Sequence, residues 1–307
     1  ATICRRLDGL PLALELAAAR LRVLTPDALA ARLDDALTLL GGGRRDASDR
    51  HQTLRSTIQW SHGLLDPAAQ ELFRRLSVFP SGATVAGIEA VCGGDLPIEA
   101  LDTLLDLALV GVSDDRFMML QTINQFARGQ LADSGEADLI ADRHTRHMLE
   151  VARSIFVDVD GGDQVGAIAR GTAADPGFAA ALDRCLAAAR DGNEEWGEVG
   201  LQLTGHLWMY WHLRGKHVTA EQYTTALLDA TDPRPTPGRA AAALALGLAQ
   251  WTLGHIEKSA ETWQTAYELA EAIDHLPYMG RSAFTVGVAS LGGDLDRAPQ
   301  RIGEGVH

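Results

Sequence analysis

The sequence is poor in lysine and in positive charge generally. Its 307 residues include only two lysines, Lys216 and Lys258, and the formal net charge is −14. An acidic chain offers no general basic face to displace counterions from phosphates, so its charge argues against nucleic-acid binding. A P-loop needs glycines that wrap phosphate, then Lys with Ser or Thr, but His217 follows Lys216 and Glu257 precedes Lys258. We therefore expect no enzymatic activity and no cofactor in this chain.

Cysteines, long apolar runs and β-branched stretches are also scarce. Cys4, Cys92 and Cys185 lie far apart without CxxC spacing, which excludes a disulfide frame and a zinc site and is typical of reduced buried thiols. No run approaches the roughly 18 apolar residues that cross a bilayer, so we expect no membrane association. Ala and Leu dominate the 46% of hydrophobic residues and favour helices. These features predict a mainly α-helical, cytoplasmic protein.

The first segment, residues 1–46, shows apolar positions at helical spacing. Leu12 and Leu16 belong to a first helix, and Thr25-Pro26 is typical of the start of a second. A glycine loop at residues 41–43 ends the segment. Because the helical pattern is already under way at Ala1, we interpret the chain as part of a longer protein.

A change of pattern marks residues 47–133 as a second domain. Two short apolar runs, 109–112 and 117–120, surround a polar turn at 113–116 and predict a β-hairpin. Helices are predicted before and after the hairpin, at residues 53–64, 67–77, 84–91, 97–107 and 122–131. This order is that of a winged-helix-like domain.

The charge of this winged-helix-like domain bears on DNA binding. Between residues 66 and 131, four arginines face nine carboxylates, a balance of −5. The turn that would form the tip of the wing carries Asp114 and Asp115. Carboxylates at that position would repel phosphate, so we expect this domain not to bind DNA.

The remaining chain predicts stacked helices. Residues 134–232 are expected to form helices with an irregular break at 158–166, and the three prolines of residues 231–238 predict a hinge. Gly215, Gly254 and Gly293 follow one another at intervals of 39 residues. Around Gly254, the small Gly247 and the large Trp263 alternate as tetratricopeptide-like helix pairs require. Residues 233–307 are therefore predicted to be an incomplete set of such repeats, in an α-solenoid.

Aromatic residues and histidines supply the remaining candidate sites. Trp208 and Trp211 fall on one helical face, which favours core packing over a ligand pocket or partner groove. If a partner does bind, Trp208, Trp211, Trp251 and Trp263 are our candidate contacts. The pair His144 and His147 has metal-ligand spacing, but neighbouring arginines would repel a cation, so a surface helix is the favoured interpretation.

Several motifs resemble one family of signalling proteins. Gly9-Leu10-Pro11-Leu12 resembles the GLPL motif of NB-ARC nucleotide switches, and residues 9–33, 50–92 and 117–131 resemble actinobacterial STAND regulators of the LuxR-type and AfsR-like group. The resemblance implies a P-loop domain upstream of this chain that binds ATP or ADP. It also implies that Gly9, Leu10, Pro11 and Leu12 lie on the adenine side. Leu120 replaces the phosphate-sensing His of plant and animal relatives, so this position does not match the pattern.

Three functional hypotheses follow. The first is a sensor and protein-interaction segment of a STAND regulator, in which the repeats bind a protein partner, an inducer or a second copy of the chain. The second is an ATPase regulator whose nucleotide-binding motifs lie outside this chain. The third is a DNA-binding winged-helix regulator, which the acidic balance of residues 66–131 disfavours.

Overall fold

The structure is a computed structural model that describes residues 25–26, 58–94 and 97–291. These residues are mostly helical and include a two-stranded antiparallel hairpin, which confirms the predicted mainly α fold. The chain divides into two compact units, Ala1–His144 and Thr145–His307, which we call unit 1 and unit 2. Most of the first predicted segment and the repeat around Gly293 lie outside the described residues. The four domain limits drawn from the sequence stay a prediction.

After Thr25 and Pro26, the described part of unit 1 continues with helical residues 58–63. Asp66 then caps the first long helix by accepting the Ala69 N–H at 2.7 Å, and Pro67 occupies its first turn. Thr84 caps the next helix in the same way, through the Gly87 N–H at 3.1 Å. The elements that follow are α1 (Pro67–Leu76), α2 (Val85–Cys92), α3 (Ile98–Asp106), β1 (Gly111–Ser113), β2 (Arg116–Met118) and α4 (Gln121–Ser134).

The hairpin is shorter than predicted and its turn is tighter. Only Asp114 and Asp115 connect the strands, and both have positive φ angles of 49° and 59°. Two left-handed residues form the turn type that matches the twist of a two-residue hairpin. Leu109 and Val110 belong to the buried core instead of β1. The predicted first strand was therefore placed about two residues too early.

The core of unit 1 is built around large side chains. Phe73 of α1 is fully buried, and its ring centroid lies 6.2 Å from that of Phe126 on α4. Around this core, hydrogen bonds join parts of the chain that are distant in sequence. Arg75 donates to the Glu136 carboxylate at 2.8 Å and to the Cys92 carbonyl oxygen at 2.6 Å.

Two histidines near the end of unit 1 were predicted to lie on a surface helix. That interpretation is wrong for His144, which is only 4% exposed and packs edge-on against Phe79 at 5.3 Å. His147 is half-buried. The described part of the chain contains no group of three or more side chains arranged to bind a metal ion.

Unit 2 is a sequence of packed helices. The long helix α5 (Ala137–Gly161) crosses the boundary between the units. The predicted break after it is confined to Gly162 and Asp163, because the Asp163 carboxylate caps the next helix at Gly166. The helices that follow are α6 (Gln164–Arg190), α7 (Glu194–Leu213), α8 (His217–Ala230), α9 (Pro237–Thr252), α10 (Ile256–Ala272) and α11 (Leu276–Leu291).

One turn geometry recurs between the helices of unit 2. After α6, α7, α9 and α10 the chain passes through a left-handed residue, in turn Gly192, Gly215, Gly254 and Asp274. After α7, for example, Gly215 N–H donates to the His212 carbonyl at 3.1 Å, and Lys216 N–H donates to the Trp211 carbonyl at 2.8 Å. These paired bonds are the Schellman motif, which satisfies the last carbonyls of a helix. Two of the three predicted repeat glycines, Gly215 and Gly254, thus occupy equivalent turns.

Small residues let neighbouring helices of unit 2 approach closely. A Cβ placed on Gly247 of α9 would lie 2.2 Å from Nε1 of Trp263 on α10. A Cβ on Gly205 of α7 would lie 2.5 Å from the Cβ of Ala241 on α9. Helix α9 therefore packs against both α7 and α10, and α11 packs against α10 in turn. This succession confirms the predicted helical solenoid.

The proline-rich segment before α9 is held in place, unlike the hinge that its prolines predicted. The buried Arg239 donates to the carbonyls of Leu228 and Thr231 at 3.0 and 2.9 Å. Glu198 of α7 accepts from the Thr236 hydroxyl at 2.6 Å and from the Gly238 N–H at 2.9 Å. Because both ends of the segment are bonded to α7 or α8, it fixes α9 relative to them.

Candidate binding cleft

Unit 2 contains a cleft of about 400 Å³, which we call the aromatic cleft. Five helices contribute to its lining: α5 with Phe156, α7 with Trp208, α9 with Leu248, α10 with Trp263, and α11 with Arg281. Apolar and aromatic side chains make up most of that lining. Pockets of this size and character are typical of small-molecule binding sites.

The floor of the aromatic cleft follows from the close packing of α7, α9 and α10. Gly205 and Ala241 both line it, so the absence of a larger side chain at either position leaves room. Trp263 is fixed at the floor because its indole N–H donates to the Leu244 carbonyl at 3.2 Å. Gly247 supplies the space that this ring occupies.

Aromatic rings form the walls. Phe156 of α5 lies 6.3 Å from Trp208 and 5.6 Å from His206, measured between ring centroids. Tyr278 of α11 stacks on His275 at 4.0 Å. Burial, and then the nearby Arg153, lowers the pKa of His206, so its imidazole is neutral at pH 7. The Nδ1 atom of His206 is itself buried without a hydrogen-bond partner.

One described residue carries charge at the aromatic cleft. Among the lining residues that the structure describes, Arg281 is charged and none is a carboxylate. Its guanidinium carbon lies 5.2 Å from the ring centroid of Phe156, a cation–π geometry. One turn along α11, Phe284 is 63% exposed. The cleft therefore combines an apolar interior with a cationic rim.

The predicted tryptophans fall into three environments. Trp208 and Trp263 both line the aromatic cleft, and Trp263 is itself only 2% exposed. Trp251 packs against Trp263 with ring centroids 5.7 Å apart, but it is not a lining residue. Trp211 is buried in the main core of unit 2. Trp208 and Trp211 thus do not share one packing face, and the partner-binding role of all four stays a prediction.

Four predicted site residues lie outside the described part of the chain, and three cleft residues were not predicted. Gly9, Leu10, Pro11 and Leu12, the predicted adenine contacts, lie outside the described residues. Sequence reasoning missed Phe156, Tyr278 and Arg281 as cleft residues. The only local signal was the spacing of Arg281, Phe284 and Thr285 on one face of a helix.

Lys216 has a structural role in unit 2. One of the two lysines, Lys216, pairs with Asp175, whose other oxygen accepts from the Tyr210 hydroxyl at 3.1 Å. This lysine therefore links α6 to the end of α7.

Across residues 58–94 and 97–291, none of the helices has the length and apolar content to span a bilayer.

Comparisons with known proteins give partial likenesses. No family model matches the chain. Over 172 residues it is 46% identical to a Mycobacterium tuberculosis protein named "Putative HTH-type transcriptional regulator", a stretch that covers 53% of this chain and 19% of that protein. An uncharacterized protein of the same species is 40% identical over 156 residues, which cover 48% of this chain and 40% of that protein. The matches thus span about a fifth and two fifths of these relatives.

One solved structure also resembles the chain. It is the Signal Transduction ATPase with Numerous Domains (STAND) protein with a tetratricopeptide repeat sensor from Pyrococcus horikoshii. The alignment covers 96% of this chain and 52% of that one, with 12% identity and a TM-score of 0.31. That likeness is too weak to bear on fold or function.

Proposed function

We propose that the chain is a sensor and protein-interaction segment of a STAND-type transcriptional or signalling regulator. The aromatic cleft is the observation that carries this proposal. Five helices of unit 2 surround a preformed, largely apolar pocket, and Arg281 is the charged residue among its described lining residues. Such a pocket is suited to recognition, and the likeness to a mycobacterial protein named as a transcriptional regulator supports a regulatory role.

We further propose that the segment is not catalytic. The sequence has no P-loop, and the described residues that line the cleft include no Ser, Cys, Asp, Glu or Lys. ATP or ADP would bind to an upstream domain of the parent protein, with Gly9, Leu10, Pro11 and Leu12 on the adenine side. The second hypothesis, an ATPase regulator whose nucleotide-binding motifs lie upstream, assigns ATP hydrolysis to the parent protein and also predicts none in this chain. Purified chain should therefore release no phosphate from ATP above a heat-killed control.

The third hypothesis, DNA binding by the winged-helix-like domain, has less support. The tip of the hairpin carries Asp114 and Asp115, and β1 exposes Val112 beside them. A wing that contacts phosphates needs cations at this position. A saturable, sequence-selective and salt-sensitive gel shift with duplex DNA would favour this third hypothesis over the first.

The experiment that tests the proposal changes the cleft within the intact gene. Leu248→Trp would fill the cleft, whereas Val157→Trp adds the same side chain at an exposed position outside the lining. We expect Leu248→Trp to change the transcript profile of the encoding organism in the direction of a gene deletion. Val157→Trp should leave it as in the wild type, at equal protein abundance. A profile that differs from wild type only in the deletion strain would contradict a sensory cleft.

A further inference from the structure

The turn between α7 and α8 brings two imidazole rings together. His212 lies in the last turn of α7, and His217 is the first residue of α8. Their ring centroids are 5.3 Å apart and their planes are inclined by 59°. We propose that the two rings bind one Zn²⁺ ion between them. Such a site is separate from the aromatic cleft and needs none of its residues.

The separation of the rings matches that of two imidazoles that share a tetrahedral ion. A Zn–N bond is about 2.0–2.1 Å long, which places each ring centroid roughly 3.2 Å from the metal. At a tetrahedral angle the two centroids are then roughly 5 Å apart. The backbone therefore already holds His212 and His217 at the separation that a shared ion needs.

The backbone between the two rings is fixed by hydrogen bonds. Gly215 adopts a left-handed φ of 66°, and its N–H donates to the His212 carbonyl at 3.1 Å. The Lys216 N–H donates to the carbonyl of Trp211, which is only 2% exposed, at 2.8 Å. Ligands on two helices joined by such a turn are preorganised, so they lose little conformational entropy when they bind a metal.

Both rings have nitrogen atoms available to a metal ion. Among the residues that the structure describes, neither ring forms a hydrogen bond, whereas His255 at the next such turn is bonded to Glu221 at 3.3 Å. His212 is exposed and His217 is half-buried, so ions in solution can reach the pair. Burial, and then the nearby His212, lowers the pKa of His217, so this imidazole is neutral at pH 7.

Two cationic side chains flank the pair, and neither prevents a metal from binding. Lys216 pairs with Asp175, so a carboxylate balances its charge. Arg214 is exposed, and water and salt screen its charge from the two rings. The chain as a whole carries a net charge of −14, which attracts divalent cations.

The site has two protein ligands, both imidazoles, so it differs from the cysteine-based kind that the cysteine spacing excludes. Glu221 lies one turn along α8 from His217, but its carboxylate is bonded to His255 and lies 3.9 Å from Lys258. In the described part of the chain, no group of three or more His, Cys, Asp or Glu is placed to hold a metal. A tetrahedral Zn²⁺ at His212 and His217 thus keeps two positions for water or for a donor from another molecule.

Calorimetric titration of the full chain with Zn²⁺ would test the site. Because other side chains also bind Zn²⁺ weakly, the measured quantity is the difference between the wild type and each variant. His212→Gln and His217→Gln should each weaken one zinc site about tenfold or more, because the second imidazole of a pair binds intramolecularly. The matched control is His255→Gln, which removes a histidine from the equivalent turn after α9 and should leave that site unchanged. Circular dichroism would verify that all three variants are folded.

Nuclear magnetic resonance of the histidine rings separates a shared ion from two independent ones. Zn²⁺ should shift the ring resonances of His212 and His217 together, with one midpoint, and should leave that of His255 in place. The three variants assign these resonances. Zinc binding by His212→Gln and His217→Gln that equals the wild type, a shift of one ring without the other, or an equal loss in His255→Gln would each overturn the proposal.

Discussion

Unit 1 and unit 2 are both helical but are stabilised in different ways. In unit 1, bulky side chains such as Phe73 and Leu104 meet in one core, and Arg75 bonds to Glu136 across 61 residues of sequence. In unit 2, glycines let several helices approach a neighbour closely, as at Gly247 and Trp263. In a shared core, a change in one element affects the stability of all the others, whereas in a stack of helices it affects mainly the next helix. The two units should therefore respond differently to equivalent changes.

The largest expected effect is in the core of unit 1. Phe73→Ala should lower the free energy of unfolding by about 3–5 kcal/mol, because a fully buried ring leaves a cavity. Hydrogen exchange measured along the chain should show the loss spread over α1 to α4. Leu64→Ala, at an exposed position, serves as the control and should change little. Loss of protection confined to α1 would mean that unit 1 is not one cooperative core.

The next effect is in the helix contacts of unit 2. Gly247→Ala should destabilise the chain by about 2–3 kcal/mol, because its Cβ would collide with the Trp263 ring. Gly280→Ala makes the same change on α11, where nothing lies within 4 Å of the new atom. That variant should gain about 0.5–1 kcal/mol from helix propensity. Thermal unfolding followed by circular dichroism would compare them, and shifts of the same sign would contradict the close-packing account.

A smaller effect should depend on pH and belongs to unit 1. Hydrogen bonds from Arg75, opposed by partial burial and aided by Arg74, lower the pKa of Glu136 from 4.5 to about 2. The carboxylate therefore contributes stability that is fully present above pH 4.5 and is lost as the pH falls through about 2. Glu136→Gln should cost about 1–2 kcal/mol at pH 7, and this cost should vanish near pH 2.

Urea titrations at several pH values would measure this dependence. The matched control is Glu99→Gln on the exposed face of α3, which should change stability little at either pH. A loss for Glu136→Gln that stays constant from pH 7 to pH 2 would show that shape, and not charge, determines its contribution.

The smallest expected effect concerns the turn after α10. Asp274 adopts a φ of 53°, where its three counterparts in unit 2 are glycines. Asp274→Gly should therefore raise the free energy of unfolding by up to about 1 kcal/mol. The reverse exchange, Gly254→Asp, should lower it by a similar amount. If both variants lost stability, the four turns would not be equivalent.

The sequence predicted local features of both units, such as helix starts, better than features that depend on residues distant in sequence. The helices predicted at residues 67–77 and 84–91 begin within one residue of the predicted positions, since a cap and the bonds it makes lie within four residues. The break predicted at residues 158–166 was found for the same reason, although it is confined to Gly162 and Asp163. The start of β1 was misplaced because Leu109 and Val110 look like strand residues but are buried in the core. Their burial depends on helices elsewhere in unit 1.

The aromatic cleft depends on contacts that no local pattern encodes. Phe156 and Arg281 lie on α5 and α11, and only the stacking of the intervening helices brings them together. Trp263 was singled out correctly as a large residue opposite Gly247, because repeat spacing relates those two positions. The prolines of residues 231–238 predicted a hinge, but the buried Arg239 could not be foreseen as the group that fixes them.

The recurring turn of unit 2 also affects how fast, and in what order, the helices fold. Each such turn joins consecutive helices through three residues, so closing it costs little chain entropy. Structures rich in contacts between neighbours in sequence fold fast, and they can form while the chain is still being synthesised. Unit 1 must instead wait until Glu136 has left the ribosome before Arg75 has its partner. Although unit 1 is made first, unit 2 is the one able to form helix by helix as it emerges.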